Sequence, residues 1–291
     1  MNILKEIFKK IPAIIFGGLV DKYYDYFNDL KKKINEADLK ILTRTYVCLM
    51  FFVSTIAFFV SLPVLFFLLI IYNINPVLTP ILSLSVGGLA FAIMYYYPYE
   101  KAGSRKRSIE TNLPFAVNHM AAISSSGVPP KIIFKLLSGF GEYGEISKVA
   151  SKIIRNVEVF GQDITTAIES VASNVPSDSF KEILYGMLST IRTGGNLKSY
   201  LQVQAKEALF TYRLKREEYL QALSTYADFY TAVMIAAPLF LISILAIMNI
   251  IGGTIHGISI GDAMNLGIYL GIPAMNIAFI MFVSFTQPEQ I

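Results

Sequence analysis

Four apolar runs constrain this chain more than any other feature, because each is long enough to cross a membrane and contains no Lys, Arg, Asp or Glu. They occupy residues 46–72, 76–97, 229–252 and 264–285. A membrane-spanning helix needs about 20 mostly apolar residues, since the hydrocarbon layer is about 30 Å thick and a helix rises about 1.5 Å per residue. Short loops join the first run to the second and the third to the fourth. The sequence therefore predicts two transmembrane hairpins.

Each run contains a proline: Pro63, Pro80, Pro238 and Pro273. Neighbouring helices and hydroxyl groups can satisfy the backbone groups that a proline frees inside a membrane. We therefore expect kinks at these positions rather than helix breaks.

The basic residues indicate the orientation of the spans. All 25 Lys and Arg residues lie either before the first run or between the second and third runs, and the two short outer loops contain none. Lys and Arg near span ends are retained on the cytoplasmic side. Both termini and the long central segment are thus predicted to be cytoplasmic, in a protein of the cytoplasmic (inner) membrane.

The basic N-terminus followed by the apolar stretch at 11–20 also fits the start of a signal peptide. The apolar stretch is short, no A-x-A-like site follows, and residues 21–40 continue as a charged helical pattern. An amphipathic arm lying on the inner leaflet explains this pattern better.

Residues 100–228 have the composition of a soluble domain, with apolar residues recurring at helical spacing. Turn-forming clusters interrupt this pattern at 124–130, 138–145, 160–163, 173–178 and 192–196. The five interruptions predict six helices, of which the last has no stop signal before the third span. The fold class is therefore all-α.

Glycines follow three of the amphipathic stretches, at Gly127, Gly161 and the pair Gly194 and Gly195. Glycine commonly ends a helix because it adopts left-handed backbone angles without steric cost. Helix capping is the simpler interpretation, and a duplicated three-helix unit is the alternative.

Two motifs have the residue spacing of catalytic or cofactor-binding signatures but lack the secondary structure that those signatures require. Gly139, Gly141 and Gly144 reproduce a dinucleotide fingerprint, which functions only between a strand and a helix, whereas a helical pattern precedes it here. Ser259 lies in a Gly-x-Ser-x-Gly sequence beside His256, but in a short external loop without the strand-to-helix turn of a hydrolase.

No other catalytic or metal-binding set is apparent. Two histidines and one cysteine, predicted on different sides of the membrane, cannot form a metal site. We expect no cofactor and no enzymatic activity.

The basic clusters at 105–107 and 213–216 flank membrane spans. Anionic lipid headgroups attract such clusters, and an acidic protein partner is the second interpretation. Nucleic-acid binding is not expected. In the fourth run, Gly267 and Gly271 are spaced for close helix packing, within one subunit or between subunits.

The central segment resembles the type II secretion system F family, the assembly-platform proteins of type IV pili, archaella, Tad pili and type II secretion. The resemblance rests on Leu-Pro-Phe at 113–115, which would open the first cytoplasmic helix, Ser-Gly-Val-Pro at 126–129, Phe-Gly at 160–161 and Ile-Arg-Thr-Gly-Gly-Asn-Leu at 191–197. The last of these is more similar to the archaeal and Tad-type branch.

The resemblance implies a platform on which a cytoplasmic hexameric ATPase docks, and through which its movement lifts pilin-like subunits into a filament. Family members of the archaellum type contain the helical domain twice, whereas this chain has it once, which implies a homodimer or a paired platform paralogue. A small transporter or channel subunit with a cytoplasmic regulatory domain is the alternative. Transporters usually carry polar or ionisable groups at the midplane, and these spans have no charges.

The expected organisation is a cytoplasmic arm (1–45), a membrane hairpin (46–99), the F-like helical domain (100–228), a second hairpin (229–286) and a tail (287–291). The residues expected to contact a partner protein are Arg192, Lys198, Arg213, Lys215 and Arg216.

Overall fold

The computed structural model describes residues 12, 16–18, 20–21, 27–72, 75–252, 254–255 and 258–286. The extreme N-terminus, the tail at 287–291, His256 and Gly257 lie outside the described residues. The chain divides into two compact units, Met1–Ala208 and Leu209–Ile291. Both are helical.

The helices that begin in the first unit are α1 (Asn28–Glu36), α2 (Thr43–Ile71), α3 (Thr79–Ser125), α4 (Pro130–Gly139), α5 (Glu145–Glu158), α6 (Ile164–Ala172), α7 (Asp178–Arg192) and α8 (Leu197–Phe229). Short 3₁₀ turns precede α3 at Pro76–Leu78 and α5 at Gly141–Tyr143. After α8 the chain continues through a π-helical turn (Tyr230–Ala236), α9 (Ala237–Ile251), α10 (Ile260–Leu266), a second π-helical turn (Gly267–Gly271) and α11 (Ile272–Thr286).

Four stretches of helix are long and apolar enough to cross a membrane: Thr43–Ile71, Thr79–Ser124, Leu197–Ile251 and Ile260–Ser284. The predicted all-α fold with four spans is thus confirmed. The one addition within the described residues is an antiparallel pair of two-residue strands, β1 (Thr254–Ile255) and β2 (Ile258–Ser259), in the loop between α9 and α10.

Helix α3 extends through the second span without interruption for 47 residues. The resemblance implied that a helix opens at Leu113, but this expectation is wrong, because Pro98 and Pro114 both lie inside α3. A proline removes one backbone hydrogen bond and crowds the preceding turn, yet flanking bonds and packing can hold the helix together. Leu113 and Pro114 are buried, so this turn is held against the core.

The prolines of the second membrane hairpin lie next to widened turns. Pro238 is in the first turn of α9, directly after the π turn Tyr230–Ala236, and Pro273 is the second residue of α11, after the π turn Gly267–Gly271. Wider turns place the preceding carbonyls where the proline ring has room. Pro63 lies inside α2, whereas Pro80 is in the first turn of α3, where its missing N–H needs no partner.

The first hairpin packs closely because one glycine faces α2. A Cβ atom on Gly87 would lie 3.3 Å from the Cβ of Phe58 and 3.4 Å from the carbonyl oxygen of Ser54. The Ser54 hydroxyl donates a hydrogen bond to the Gly87 carbonyl at 2.8 Å. Nearer the helical domain, the Tyr46 hydroxyl donates to the Met94 carbonyl at 2.7 Å. Small residues and hydroxyl groups therefore hold α2 against α3, as is common between membrane helices.

The described helix of the N-terminal arm, α1, packs on the first hairpin. Leu30 and Ile34, on the apolar face of α1, are each 1% exposed and belong to a cluster with Tyr46, Val47 and Met50 of α2. Helices α2 and α3 therefore cover the apolar face of α1, and the expectation that the arm lies on the inner leaflet stays a prediction. The exposed side of α1 carries Lys31 and Lys32.

A larger core lies between α3 and α8. The fully buried side chains Met120, Phe134, Ile153, Ile168 and Phe180 come from five different helices. Each of these helices places one apolar face inward at 3.6-residue spacing. Polar residues begin two of them, since Asp163 accepts a hydrogen bond from the Thr165 amide at 2.9 Å and Ser177 caps α7.

The close approach at Gly87 yields a test with a matched control at the neighbouring glycine. Gly87→Leu should destabilise the first hairpin by about 1–3 kcal/mol, because the new side chain overlaps Phe58 and the α2 backbone. Gly88→Leu should have little effect, since a Cβ there meets nothing within 4 Å. Thermal unfolding of the two purified variants in the same detergent measures the difference, and equal melting temperatures would contradict it.

Candidate functional site

Three of the motifs that carried the family resemblance lie in turns between the helices that form the core. The turn at 126–129 follows α3, the turn at 160–161 follows α5, and the stretch 191–197 links α7 to α8. The structure therefore places these motifs at helix boundaries.

Three of the motif glycines have backbones that favour glycine. Gly127, Gly161 and Gly194 have φ angles of +73°, +65° and +68°. After α7, the amide of Gly194 donates to the Ile191 carbonyl at 3.2 Å, and that of Gly195 donates to the Thr190 carbonyl at 2.8 Å. These bonds satisfy the last carbonyls of the helix, as in a Schellman cap. The geometry supports the helix-capping interpretation of these glycines.

Helix α8 begins directly after this cap and extends the domain toward the third span. The Asn196 side chain accepts a hydrogen bond from the Ser199 amide at 3.0 Å, which fixes the start of α8. Tyr200 then packs against α7, where its hydroxyl donates to the Ile183 carbonyl at 3.2 Å and lies over Gly186. The helix continues past Asp228, which confirms the prediction that the last cytoplasmic helix has no break before the membrane.

The predicted partner-contacting residues fall into two groups. Arg213, Lys215 and Arg216 are exposed on α8, and Arg216 donates to the Tyr212 hydroxyl at 3.2 Å. We call these three residues the α8 basic edge. Lys198 is exposed in the first turn of the same helix. Arg192 instead pairs with Glu169 at 2.5 Å, so part of its charge is already balanced within the domain.

The basic cluster at 105–107 does not serve as a lipid-binding patch as a whole. Arg105 is 7% exposed, and its Nε donates to the Glu145 carboxylate at 2.6 Å. Its guanidinium also donates to the carbonyl oxygen of Glu36, the last residue of α1. The lipid interpretation is therefore wrong for Arg105, since α1 and the start of α5 enclose it.

Glu145 is the central acceptor of this arrangement, which we call the arm junction (Glu36, Arg105, Glu145 and Lys148). Lys148, one turn further along α5, donates to the second oxygen of the same carboxylate at 2.6 Å. Burial raises the pKa of Glu145, but the hydrogen bonds and charges of Lys148 and Arg105 outweigh it, so the pKa is lowered from its usual value. Glu145 remains ionised and holds Arg105 in place.

The arm junction also explains the glycine motif that matches a dinucleotide fingerprint. Helix α4, not a strand, precedes Gly139, so the motif lacks its required context. Gly144 has a φ angle of +54°, and a Cβ there would lie 2.8 Å from the Ser108 hydroxyl oxygen. The tight turn brings Glu145 beside α3. This motif therefore has a structural use.

Three other candidates from the sequence have ordinary structural contacts. Ser259 caps α10 by accepting a hydrogen bond from the Asp262 amide at 3.1 Å, and it donates to the Asp262 carboxylate at 2.6 Å. His119 packs edge-on against Phe140 and lies 3.0 Å from the Tyr143 hydroxyl. In the part of the chain that the structure describes, no group of three His, Cys, Asp or Glu residues could hold a metal ion.

Gly267 and Gly271 lie at the two ends of the second π turn rather than in regular α-helix. Among the described residues, no atom lies within 4 Å of a Cβ built on Gly267, and the nearest to Gly271 belongs to its own turn. Within the second unit, the Tyr230 hydroxyl instead donates to Asn276 at 3.1 Å. Packing of the two glycines against another subunit stays a prediction.

Sequence reasoning missed the arm junction because its members are far apart in the chain. Forty residues separate Arg105 from Glu145, and a further ion pair, Lys152 with Asp38 at 2.6 Å, joins positions more than a hundred residues apart. A Glu directly after a glycine turn does signal a helix start. Nothing in the sequence indicates which cation it meets.

Comparison with known proteins agrees with the placement of the core. The family described as "Type II secretion system (T2SS), protein F" matches residues 116–245. This range runs from the C-terminal part of α3 through α8 into α9. No solved structure matches the chain significantly.

Curated relatives are archaeal. An uncharacterized protein of Methanocaldococcus jannaschii is 28% identical over 66% of this chain and 33% of its own length. The proteins named Flagella accessory protein J from M. jannaschii and Methanococcus voltae are 25% and 24% identical, each over 50% of this chain and 26% of the relative. The chain thus spans between about a quarter and a third of the length of the relatives it matches.

Removing Arg105 tests the arm junction. Arg105→Met should destabilise the protein by about 1–3 kcal/mol, because it removes the buried cation beside the Glu145 carboxylate, which keeps Lys148 as its second partner. The double variant R105M/E145L should recover much of this loss, since no uncompensated charge remains. Thermal unfolding in detergent compares the two. A double variant that is less stable than R105M would contradict the assignment.

Proposed function

We propose that this chain, which belongs to the type II secretion system F family and is most similar to archaeal members, is the membrane assembly platform of a type IV pilus-like filament or secretion machine. The observation that carries the proposal is the family match over residues 116–245, which coincides with the buried core and the helix leading to the third span. Relatives named Flagella accessory protein J support a role in archaellum-like assembly.

In the proposed arrangement the helical domain and both termini are cytoplasmic. The confinement of all basic residues to two segments of the chain supports this orientation. A hexameric secretion ATPase docks on the helical domain, and pilin-like subunits enter the filament beside the spans. Because the family match covers a single helical domain at residues 116–245, we propose that a second copy or a platform paralogue completes the assembly.

Helix α8 is the proposed transmitter of ATPase movement. Its backbone hydrogen bonds continue from the domain core at Leu201, which is fully buried, to Phe229 at the start of the third span. A continuous helix passes displacement along its axis because its turns are linked by a ladder of i to i−4 bonds. A break in that ladder should uncouple the two ends.

A proline in the middle of α8 tests the transmitter. Ala222→Pro should abolish filament assembly while the protein still inserts in the membrane, since an interior proline costs about 3 kcal/mol and kinks or breaks the helix. Ala222→Ser, which keeps the backbone N–H, is the control and should assemble filaments. Electron microscopy counts filaments, and membrane fractionation measures insertion. Normal filaments with A222P would refute the transmitter role.

The α8 basic edge is the proposed contact for an acidic face of the ATPase. Replacing Arg213, Lys215 and Arg216 by Gln should lower ATPase retention about tenfold, because each exposed pair contributes about 0.2–1 kcal/mol. Retention by the unmodified protein should also fall with added salt. Pull-down of the ATPase on detergent-solubilised platform measures both effects.

A matched triple variant controls for the loss of positive charge. Gln at Lys131, Lys135 and Lys181 removes the same charge from residues that already pair with Glu158 or Asp178. This variant should retain the ATPase. Equal loss in both triple variants would show that net charge, rather than the α8 basic edge, governs binding.

Substrate uptake by the purified protein in liposomes would favour a transporter over a platform.

A further inference from the structure

A polar cleft opens between the end of the N-terminal arm and helices α5 and α6, within the first unit. Its volume is 440 Å³, which lies in the range of about 300–1,000 Å³ typical of ligand sites. Asn35 and Asp38 form one wall, Lys152 and Arg155 of α5 form another, and Gln162 lies in the turn that follows α5. Neither the family motifs nor the α8 basic edge belongs to this cleft.

The charges in the cleft are balanced except for one. Arg105, at the back of the cleft, pairs with Glu145, and Lys152 pairs with Asp38 at 2.6 Å. Arg155 is exposed, and its side chain makes no ion pair with any residue that the structure describes. One unpaired guanidinium suits a single carboxylate. A phosphate group carries nearly two negative charges at neutral pH, so one guanidinium would balance only part of its charge.

Amide side chains supply the remaining chemistry of the cleft. The Oε1 atom of Gln162 is shielded from solvent and accepts no hydrogen bond from the described residues. Because Gln162 lines the cleft, an N–H group of a bound ligand can supply the hydrogen bond that this oxygen lacks. Asn174, on the opposite wall, donates through Nδ2 to the Ser170 carbonyl at 3.2 Å. Asn35 and Asn174 each offer an amide oxygen and nitrogen, so they can pair with the alternating N–H and C=O groups of a peptide backbone.

We propose that this cleft binds an extended acidic segment of a partner protein. Arg155 holds a carboxylate of the segment, and Gln162 accepts a hydrogen bond from a backbone N–H beside it. Because the arm forms one wall of the cleft, a bound segment would fasten the arm to α5 and α6. The proposal does not depend on the platform role and can be tested with the isolated protein.

Binding of short synthetic peptides to the full chain in lipid nanodiscs tests the site. The probe is Gly-Ser-Asp-Ser-Gly with blocked termini, and the matched control peptide carries Asn in place of Asp. Saturation-transfer NMR titrations should show saturable binding of the Asp peptide in the millimolar range. The Asn peptide should bind about tenfold more weakly, since it lacks the charge-assisted bond to Arg155.

Variants assign the two contacts separately. Arg155→Gln should remove the preference for the Asp peptide, whereas Arg155→Lys should keep part of it because the charge remains. Gln162→Leu should weaken both peptides by a similar factor, since it removes a contact to the backbone. Lys135→Gln, which removes a positive charge outside both the cleft and the α8 basic edge, should leave binding unchanged. A thermal unfolding curve for each variant verifies that it is folded.

Several outcomes would overturn the proposal. Equal binding of the two peptides, or a preference that survives R155Q, would exclude a carboxylate site at Arg155. Inorganic phosphate that displaces the peptide at lower concentration than acetate would indicate a phosphate site. Displacement by phosphatidylglycerol vesicles but not by phosphatidylcholine vesicles would indicate a lipid-headgroup site.

Discussion

In the hydrocarbon layer of a membrane, every backbone polar group must find its hydrogen-bond partner within the protein. This requirement forces the four apolar runs into helices, and two of these helices do not stop where their apolar runs end. Helix α3 continues from the second span into the core, and α8 extends from the core to the third span. The first and last helices of the segment between the hairpins are therefore continuous with the second and third spans.

A second constraint is the cost of burying charge. Arg105 is almost fully enclosed, which is tolerable only because Glu145 and the Glu36 carbonyl receive its donors. To supply these two acceptors, the end of α1 and the start of α5 must both lie beside Arg105. Gly144 provides that turn, since its backbone is left-handed and the Ser108 hydroxyl leaves no space for a side chain. The arm junction thereby links the arm, the first hairpin and the helical core.

The functional proposal follows from what the molecule offers to partners. Three of its family motifs lie at helix ends, Leu-Pro-Phe at 113–115 lies inside α3, and the motifs that match catalytic signatures make structural contacts. Two surfaces of the described residues, the α8 basic edge and the polar cleft, are the proposed binding sites for proteins. Charged and polar surfaces of this kind favour specific protein partners, as the proposed assembly platform requires.

Much of the fold could be predicted from the sequence, because long apolar runs, helical periodicity and glycine turns are local signals. The spans, the helix ends at Gly127, Gly161 and Gly194, and the unbroken α8 all depend on neighbouring residues. Long-range packing decided the rest. Local patterns alone cannot indicate that Arg105 is buried against Glu145, that the apolar face of α1 meets α2 and α3, or that Arg155 stays unpaired beside Gln162. Those outcomes depend on which distant side chains the tertiary structure brings together, and on the energetic penalty for leaving a buried charge or amide without a partner.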